Sequence, residues 1–109
     1  MTLSGYRIVW TFVLFDLPVV DPDDRRQYMR FRKLLLEEGF DMMQFSVYAR
    51  CSPSEDRARI IEARIVAALP PDGCVRIFQM TDRQFGMMRC YHGKLPEVPE
   101  PAAEQLQFL

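Results

Sequence analysis

The stretch that decides the fold is residues 6–17, which read YRIVWTFVLFDL. Its side chains alternate as they do in a β-strand, with Trp10 and Phe12 on one face and Val13 on the other. Both faces are apolar, so both need cover in the folded protein. Helices of the same chain can cover one face, and a second copy of the protein is the simplest cover for the other. The alternative is a strand that is buried on both sides within one protomer.

Length and composition indicate one small globular domain. The chain has 109 residues and a mass of 12.8 kDa, enough for a single core. We expect neither a membrane helix nor a signal peptide, and therefore a cytoplasmic location. Three cysteines without a C-x-x-C spacing fit a reducing compartment better than a disulfide scaffold or a zinc site. Because the net charge is −1, any binding of nucleic acid requires cations gathered on one surface.

The rest of the chain alternates between helix and strand patterns. Asp21 and Pro22 predict the start of a first helix that ends at Gly39. A second strand is expected over 43–50, and its extension back to residue 41 makes it either one bent strand or two short ones. Further expected elements are a helix opened by the capping box at 52–55, a third strand over 74–81 and a fourth over 85–92.

This order predicts an α+β, ferredoxin-like sandwich, with a four-stranded sheet, two helices on one face and a short C-terminal strand. We expect the ferredoxin-like domain over 1–93 and a proline-rich linker over 94–103. Residues 104–109 form the closing strand, whose Leu106 and Phe108 can pair with a sheet edge of the same chain, a dimer mate or another protein. The alternative for this segment is a frayed tail.

Asp16 is the most pointed candidate for chemistry, because it ends the first strand. A carboxylate there can hold Mg²⁺ or Mn²⁺ through oxygen. Metal-assisted cleavage of a phosphodiester usually needs several carboxylates, and two copies facing each other supply a pair. The simpler alternative is an aspartate that hydrogen-bonds the following turn.

A basic stripe, formed by Arg26, Arg30 and Lys33, follows one side of the first helix at i, i+4 and i+7. Three phosphate contacts per chain give about six per dimer, and a salt slope near −5 for duplex DNA. Such contacts position the nucleic acid without reading its sequence. The alternative is an ordinary solvated helix face.

Several segments, in their order and spacing, resemble the Cas2 family of small CRISPR-associated proteins. The resemblance is carried by FVLFDLP at 12–18, RFRKLLLEEGF at 30–40, QFSVY at 44–48, TDRQF at 81–85 and YHG at 91–93. The helix segment is similar to members from type II systems, which have a single large effector nuclease.

The resemblance implies a ferredoxin-like fold and a symmetric homodimer with facing sheets, in which the terminal strand pairs. It implies a role in spacer acquisition, where the Cas2 dimer is a scaffold that holds double-stranded DNA between dimers of the Cas1 integrase. Some members are metal-dependent endonucleases on RNA or duplex DNA, and the aspartate that matches Asp16 is their metal ligand. The alternative function is a stand-alone, Mg²⁺-dependent endoribonuclease of toxin type.

Overall fold

The computed structural model describes residues 7–97 as alternating strands and helices. The elements are β1 (Val9–Asp16), α1 (Pro22–Glu37), β2 (Asp41–Gln44), β3 (Val47–Ser52), α2 (Glu55–Ala67), β4 (Cys74–Thr81), α3 (Asp82–Gly86), β5 (Cys90–His92) and β6 (Leu95–Glu97). Four strands form an antiparallel sheet in the order β2-β3-β1-β4. With α1 and α2 as its two long helices, this arrangement confirms the predicted α+β, ferredoxin-like class.

The first helix begins and ends where the sequence predicts. The Asp21 carboxylate accepts the backbone N–H of Asp24 at 2.8 Å, and the Asp24 carboxylate accepts that of Asp21. Gly39, with φ of +84°, turns the chain after the last residues of the helix. Between these ends the apolar stripe turns Phe31 and Leu35 into the core, as expected from their spacing.

Both long helices cover the same face of the sheet. Val13 of β1 is buried there together with Leu35 of α1 and Ile61 of α2. Each such side chain contributes roughly 1.5–3 kcal/mol when it is removed from water. The other buried members of this cluster are Phe15, Leu17, Phe31, Phe40, Tyr48 and Ile65.

The second face of the sheet is covered at one end by α3. The ring of Phe85 stacks on Trp10 with centroids 3.7 Å apart, and Trp10 Nε1–H donates to the Asp82 carboxylate at 2.8 Å. The prediction of a strand over 85–92 is therefore wrong for residues 85–89. A helix forms instead because Thr81 caps it and turns Phe85 back over the sheet.

The fourth strand of the sheet comes from the segment that begins at residue 41. Of the two readings of that segment, the two short strands are confirmed, as β2 and β3 form a hairpin. Ser46 makes the turn with φ of +62°, and Phe45 beside it is 88% exposed. Because Phe45 is apolar, the turn between β2 and β3 does not interrupt the apolar alternation of the sequence.

The chain after α3 differs from the expected strand and linker. Only the last three residues of 85–92 form a strand, β5, which pairs with β6 in a separate hairpin. Because Gly93 turns the chain with φ of +61°, Leu95 lies opposite His92 inside the stretch expected to be linker. The domain boundaries stay predictions, and the closing strand with Leu106 and Phe108 lies outside the described residues.

Candidate site at the open end of the sheet

Beyond the end under α3, the second face of the sheet is only partly covered, and we call this half the open end. Along the ladder between β1 and β4, Phe12 lies opposite Phe78, Leu14 opposite Arg76, and Asp16 opposite Cys74. Alternation places all six side chains on the face that α1 and α2 do not cover. These six residues and Val47, which lies opposite Leu14 on β3, define the open end.

Asp16 lies at the margin of the open end, in the last row of the ladder. Its side chain is exposed, and within residues 7–97 its carboxylate makes no hydrogen bond or ion pair. The alternative of a hydrogen bond to the following turn is therefore not observed. An exposed carboxylate without a protein partner retains all of its oxygen lone pairs for a ligand.

Gly73 determines how the backbone passes Asp16. A Cβ at position 73 would lie 2.7 Å from the Asp16 carbonyl oxygen and 2.7 Å from a methyl carbon of Leu17. Its φ of +92° is also a conformation that other residues adopt only with strain. A glycine is therefore required for the turn before β4 to pack against the end of β1.

Arg76 and Cys74 lie beside Asp16 on the same face. Arg76 Nη1 donates to Cys74 Sγ at 3.3 Å, so the guanidinium extends toward the residue directly opposite Asp16. In the described part of the chain, no carboxylate oxygen lies within 4.0 Å of the Arg76 nitrogens. The alternation of β4 places Arg76 on the same face as Phe78, but it does not show that this face lies beside Asp16.

The donor set fits a water-rich magnesium site better than a closed metal centre. Over residues 7–97, no group of three or more His, Cys, Asp or Glu side chains is arranged to hold a metal ion. Mg²⁺ keeps several waters and often takes only one or two carboxylates together with substrate phosphates. Asp16 can supply one such carboxylate.

The predicted basic stripe lies on the outer surface of α1, so the structure does not bring it together with Asp16. Arg26 pairs with Asp23 at 3.2 Å and Lys33 pairs with Glu37 at 3.8 Å, and all four side chains are exposed. Exposed pairs of this kind contribute about 0–1 kcal/mol, so a phosphate can displace them. The stripe is thus available as a second, separate surface.

Two further residues, Arg50 and Cys51, lie outside the candidate site. Arg50 donates to the Glu38 carbonyl oxygen at the end of α1, which accounts for that cation. Burial raises the pKa of the Cys51 thiol, and the neighbouring Asp82 carboxylate raises it further, while Arg50 opposes the shift. Cys51 is therefore held in its unreactive thiol form.

Sequence comparisons place the chain beside one family over most of its length. Residues 9–88 match the sequence model of the family described as CRISPR associated protein Cas2. A protein from Flavobacterium psychrophilum, named CRISPR-associated endoribonuclease Cas2, is 41% identical to this chain. The alignment covers 97% of this chain and 92% of that relative. The relative from Parvibaculum lavamentivorans, with the same name, is 43% identical over 92% of this chain and 99% of its own.

The fold also matches a solved structure. A chain described as the crystal structure of cas2 aligns with a TM-score of 0.55 and 21% identity, covering 83% of this chain and 94% of that one. At this identity the match supports the ferredoxin-like fold alone. Among the described residues, none of the helices has the length and apolar character that crossing a membrane requires.

Proposed function

The chain belongs to the Cas2 family of CRISPR-associated proteins, and on this premise we propose that it acts in spacer acquisition as a homodimeric scaffold. Two copies join through the apolar residues of their open ends, bind double-stranded DNA and dock the Cas1 integrase. We assign it to the cytoplasm. The likeness of residues 30–40 to members from type II systems supports an assignment to that class of CRISPR locus.

The observation that carries this proposal is the uncovered apolar surface of the open end. Phe78 stacks on Phe12 with centroids 5.1 Å apart, yet 43% of its surface remains exposed on the solvent side. Leu14 and Val47 beside them are only partly covered. A two-fold interface places the same patch on both partners, so one open end can cover the other.

The basic stripe of α1 is the proposed surface for DNA. In a dimer that joins through the open ends, the two helix layers face outward, and each presents Arg26, Arg30 and Lys33. About six phosphate contacts predict a salt slope near −5 for duplex DNA. The binding is expected to be insensitive to base sequence, because only the backbone is contacted.

A charge-reversal experiment tests the DNA surface. Changing Arg26, Arg30 and Lys33 together to Glu should abolish duplex binding at moderate salt and flatten the dependence of log K on log salt. The matched control is the triple change of Arg57, Arg59 and Arg64 to Glu on α2, which reverses the same number of charges, of which two are likewise in ion pairs. Unchanged binding by the α1 variant, or an equal loss in both variants, would contradict the assignment.

A second candidate function is a metal-dependent endoribonuclease that uses Asp16. Two observations favour it: the similar proteins are named endoribonucleases, and the Asp16 carboxylate has no partner within residues 7–97. Asp16 would hold Mg²⁺ or Mn²⁺, and the ion would supply a polarised water near the phosphodiester. The chain's own contribution is to hold this carboxylate at the rim of the dimer, opposite its copy.

Asp16→Asn separates the two functions because asparagine keeps the shape and removes the charge. The scaffold function predicts that spacer integration with Cas1 survives this change, whereas the endoribonuclease predicts loss of Mg²⁺-dependent RNA cleavage. A collapse of integration in a folded, dimeric variant would contradict a purely scaffolding role. Stable co-elution of the wild-type protein with Cas1 would count against a toxin-type, stand-alone ribonuclease.

A further inference from the structure

We propose that Arg76 binds a phosphate of the nucleic-acid strand beside Asp16, so that the two residues form one phosphodiester-binding site at the rim of the open end. This inference rests on the endonuclease candidate for Asp16 and adds a substrate-binding residue to it. It assigns to the open end a contact with nucleic acid that the α1 stripe, on the other side of the sheet, does not make.

The sheet register places the two groups within reach of one ligand. Arg76 is the diagonal neighbour of Asp16, since Cys74 lies directly opposite Asp16 and Arg76 is two residues further along β4. Diagonal neighbours on one face are about 7–8 Å apart at the backbone, within reach of a long side chain. The bond from Arg76 Nη1 to Cys74 Sγ shows that the guanidinium extends toward Cys74, the residue directly opposite Asp16. The two charges nevertheless remain more than 4.0 Å apart, and neither has an ion-pair partner within residues 7–97.

The chemistry of Arg76 favours a phosphate ligand. A guanidinium presents five N–H donors in a planar fork that matches two phosphate oxygens, and within residues 7–97 only a weak sulfur acceptor engages it. The Arg76 side chain is exposed, and β4 is an edge strand of the described sheet. A cation so placed can bind the backbone of a strand that passes the rim of the dimer.

The pair also suits the charge changes of phosphodiester hydrolysis. In that reaction a water oxygen bonds to phosphorus, the bond from phosphorus to one nucleoside oxygen breaks, and a proton lost by the water is balanced by one gained by the leaving oxygen. Negative charge rises on the phosphoryl oxygens, where an arginine stabilises it. Arg76 would supply this stabilisation beside the Asp16 carboxylate.

The competing explanation is an ion pair across the dimer, in which Arg76 meets Asp16 of the second copy. Such a pair would hold the protomers together instead of binding substrate. The two explanations differ in a measurable way, because an interface ion pair affects the oligomeric state and a phosphate contact affects affinity for nucleic acid.

The experiment compares Arg76→Gln with Arg57→Gln, a matched change on the outer side of α2. The probe is a fluorescein-labelled single-stranded RNA, measured by anisotropy with Ca²⁺ in place of Mg²⁺. We expect binding by Arg76→Gln to weaken roughly 10-fold, with a salt slope smaller by about one for each lost contact. Arg57→Gln should stay within about twofold of the wild type, and Arg76→Lys should recover part of the loss.

Two results would overturn the inference: RNA binding by Arg76→Gln equal to that of Arg57→Gln, or dissociation of the Arg76→Gln dimer in sedimentation. Failure of the endonuclease candidate appears differently. If the wild type and Asp16→Asn are equally inactive with Mg²⁺ while Arg76→Gln still weakens RNA binding, the phosphate contact stands without catalysis. If Asp16 is required for cleavage and Arg76→Gln binds normally, the endonuclease stands without this contact.

Discussion

The two faces of one sheet differ in how completely the chain covers them. On the face under α1 and α2, Val13 and Leu35 have no exposed surface. On the second face Phe85 is 2% exposed where α3 covers the sheet, but Phe78 at the open end is 43% exposed. One face is therefore closed within the protomer, while the other leaves apolar surface exposed to solvent.

The difference originates in alternate residues of β1. The side chains toward the helices are small or apolar, so they pack into a closed layer. Those on the second face are aromatic near the start of the strand and carboxylate at its end, as Trp10 and Asp16 illustrate. α3 is only five residues long and reaches the Trp10 end alone.

The largest expected effect comes from opening the helix-covered face. Phe31→Ala removes a buried ring from α1, so unfolding free energy should fall by about 3–5 kcal/mol. Phe45→Ala makes the same change at the 88% exposed tip of the β2–β3 turn and should shift it by only about 0.5 kcal/mol. Urea denaturation at one fixed protein concentration measures both. Equal losses would contradict the assignment of Phe31 to the core.

A smaller effect is expected where the turn before β4 meets Asp16. Gly73→Ala combines a strained positive φ with a Cβ 2.7 Å from the Asp16 carbonyl oxygen, so we expect a loss of about 2–4 kcal/mol. Gly93 also has a positive φ, but a Cβ there would meet no atom of the described residues within 4 Å, so Gly93→Ala should cost about 1–2 kcal/mol. Thermal or urea unfolding distinguishes them, and a loss at Gly93 as large as that at Gly73 would show that packing against Asp16 is unimportant.

The covered end of the second face depends on one hydrogen bond. Trp10→Phe keeps an aromatic ring against Phe85 but removes the Nε1–H donor to the buried Asp82 carboxylate. Leaving that acceptor without this donor should lower unfolding free energy by about 1–3 kcal/mol. A change below about 0.5 kcal/mol, the range of ordinary surface substitutions, would mean that stacking alone holds α3.

The smallest effect concerns the thiols on this face. The raised pKa of Cys51 means that the folded state holds its proton more tightly than the unfolded state. The resulting stabilisation is present below the ordinary thiol pKa and is lost as pH rises through the raised value. At mildly alkaline pH, iodoacetamide should label the exposed Cys74 before the partly buried Cys51, as read by mass spectrometry. If iodoacetamide labelled Cys51 faster than Cys74, the raised pKa and partial burial of Cys51 would be contradicted.

The sequence predicts the structure best where residues close together in the chain decide it. The cap at Asp21 and the stripe of Phe31 and Leu35 each depend on residues a few positions apart. The strand predicted over 85–92 is wrong at its start, because Phe85 and Gly86 belong to α3. The contact that favours the helix joins Trp10 to Asp82, 72 residues away in the chain.

The candidate site, too, can be predicted from the sequence only in part. Asp16 could be singled out because its place at the end of a strand is visible in the sequence. Arg76 could not, because its relation to Asp16 depends on the register between β1 and β4. Two helices and a hairpin separate β1 from β4 in the chain, so no spacing of nearby residues determines the register between these two strands.

The most direct test of the two-face account is the mass of the protein in solution. Sedimentation at micromolar concentration should give twice the chain mass of 12.8 kDa for the wild type. Phe78→Asp, which buries a charge in the proposed interface, should sediment at the single-chain mass while its circular dichroism stays that of a folded protein. A wild type that remains a single 12.8 kDa unit at micromolar concentration would contradict the claim that the open end is covered by a second copy.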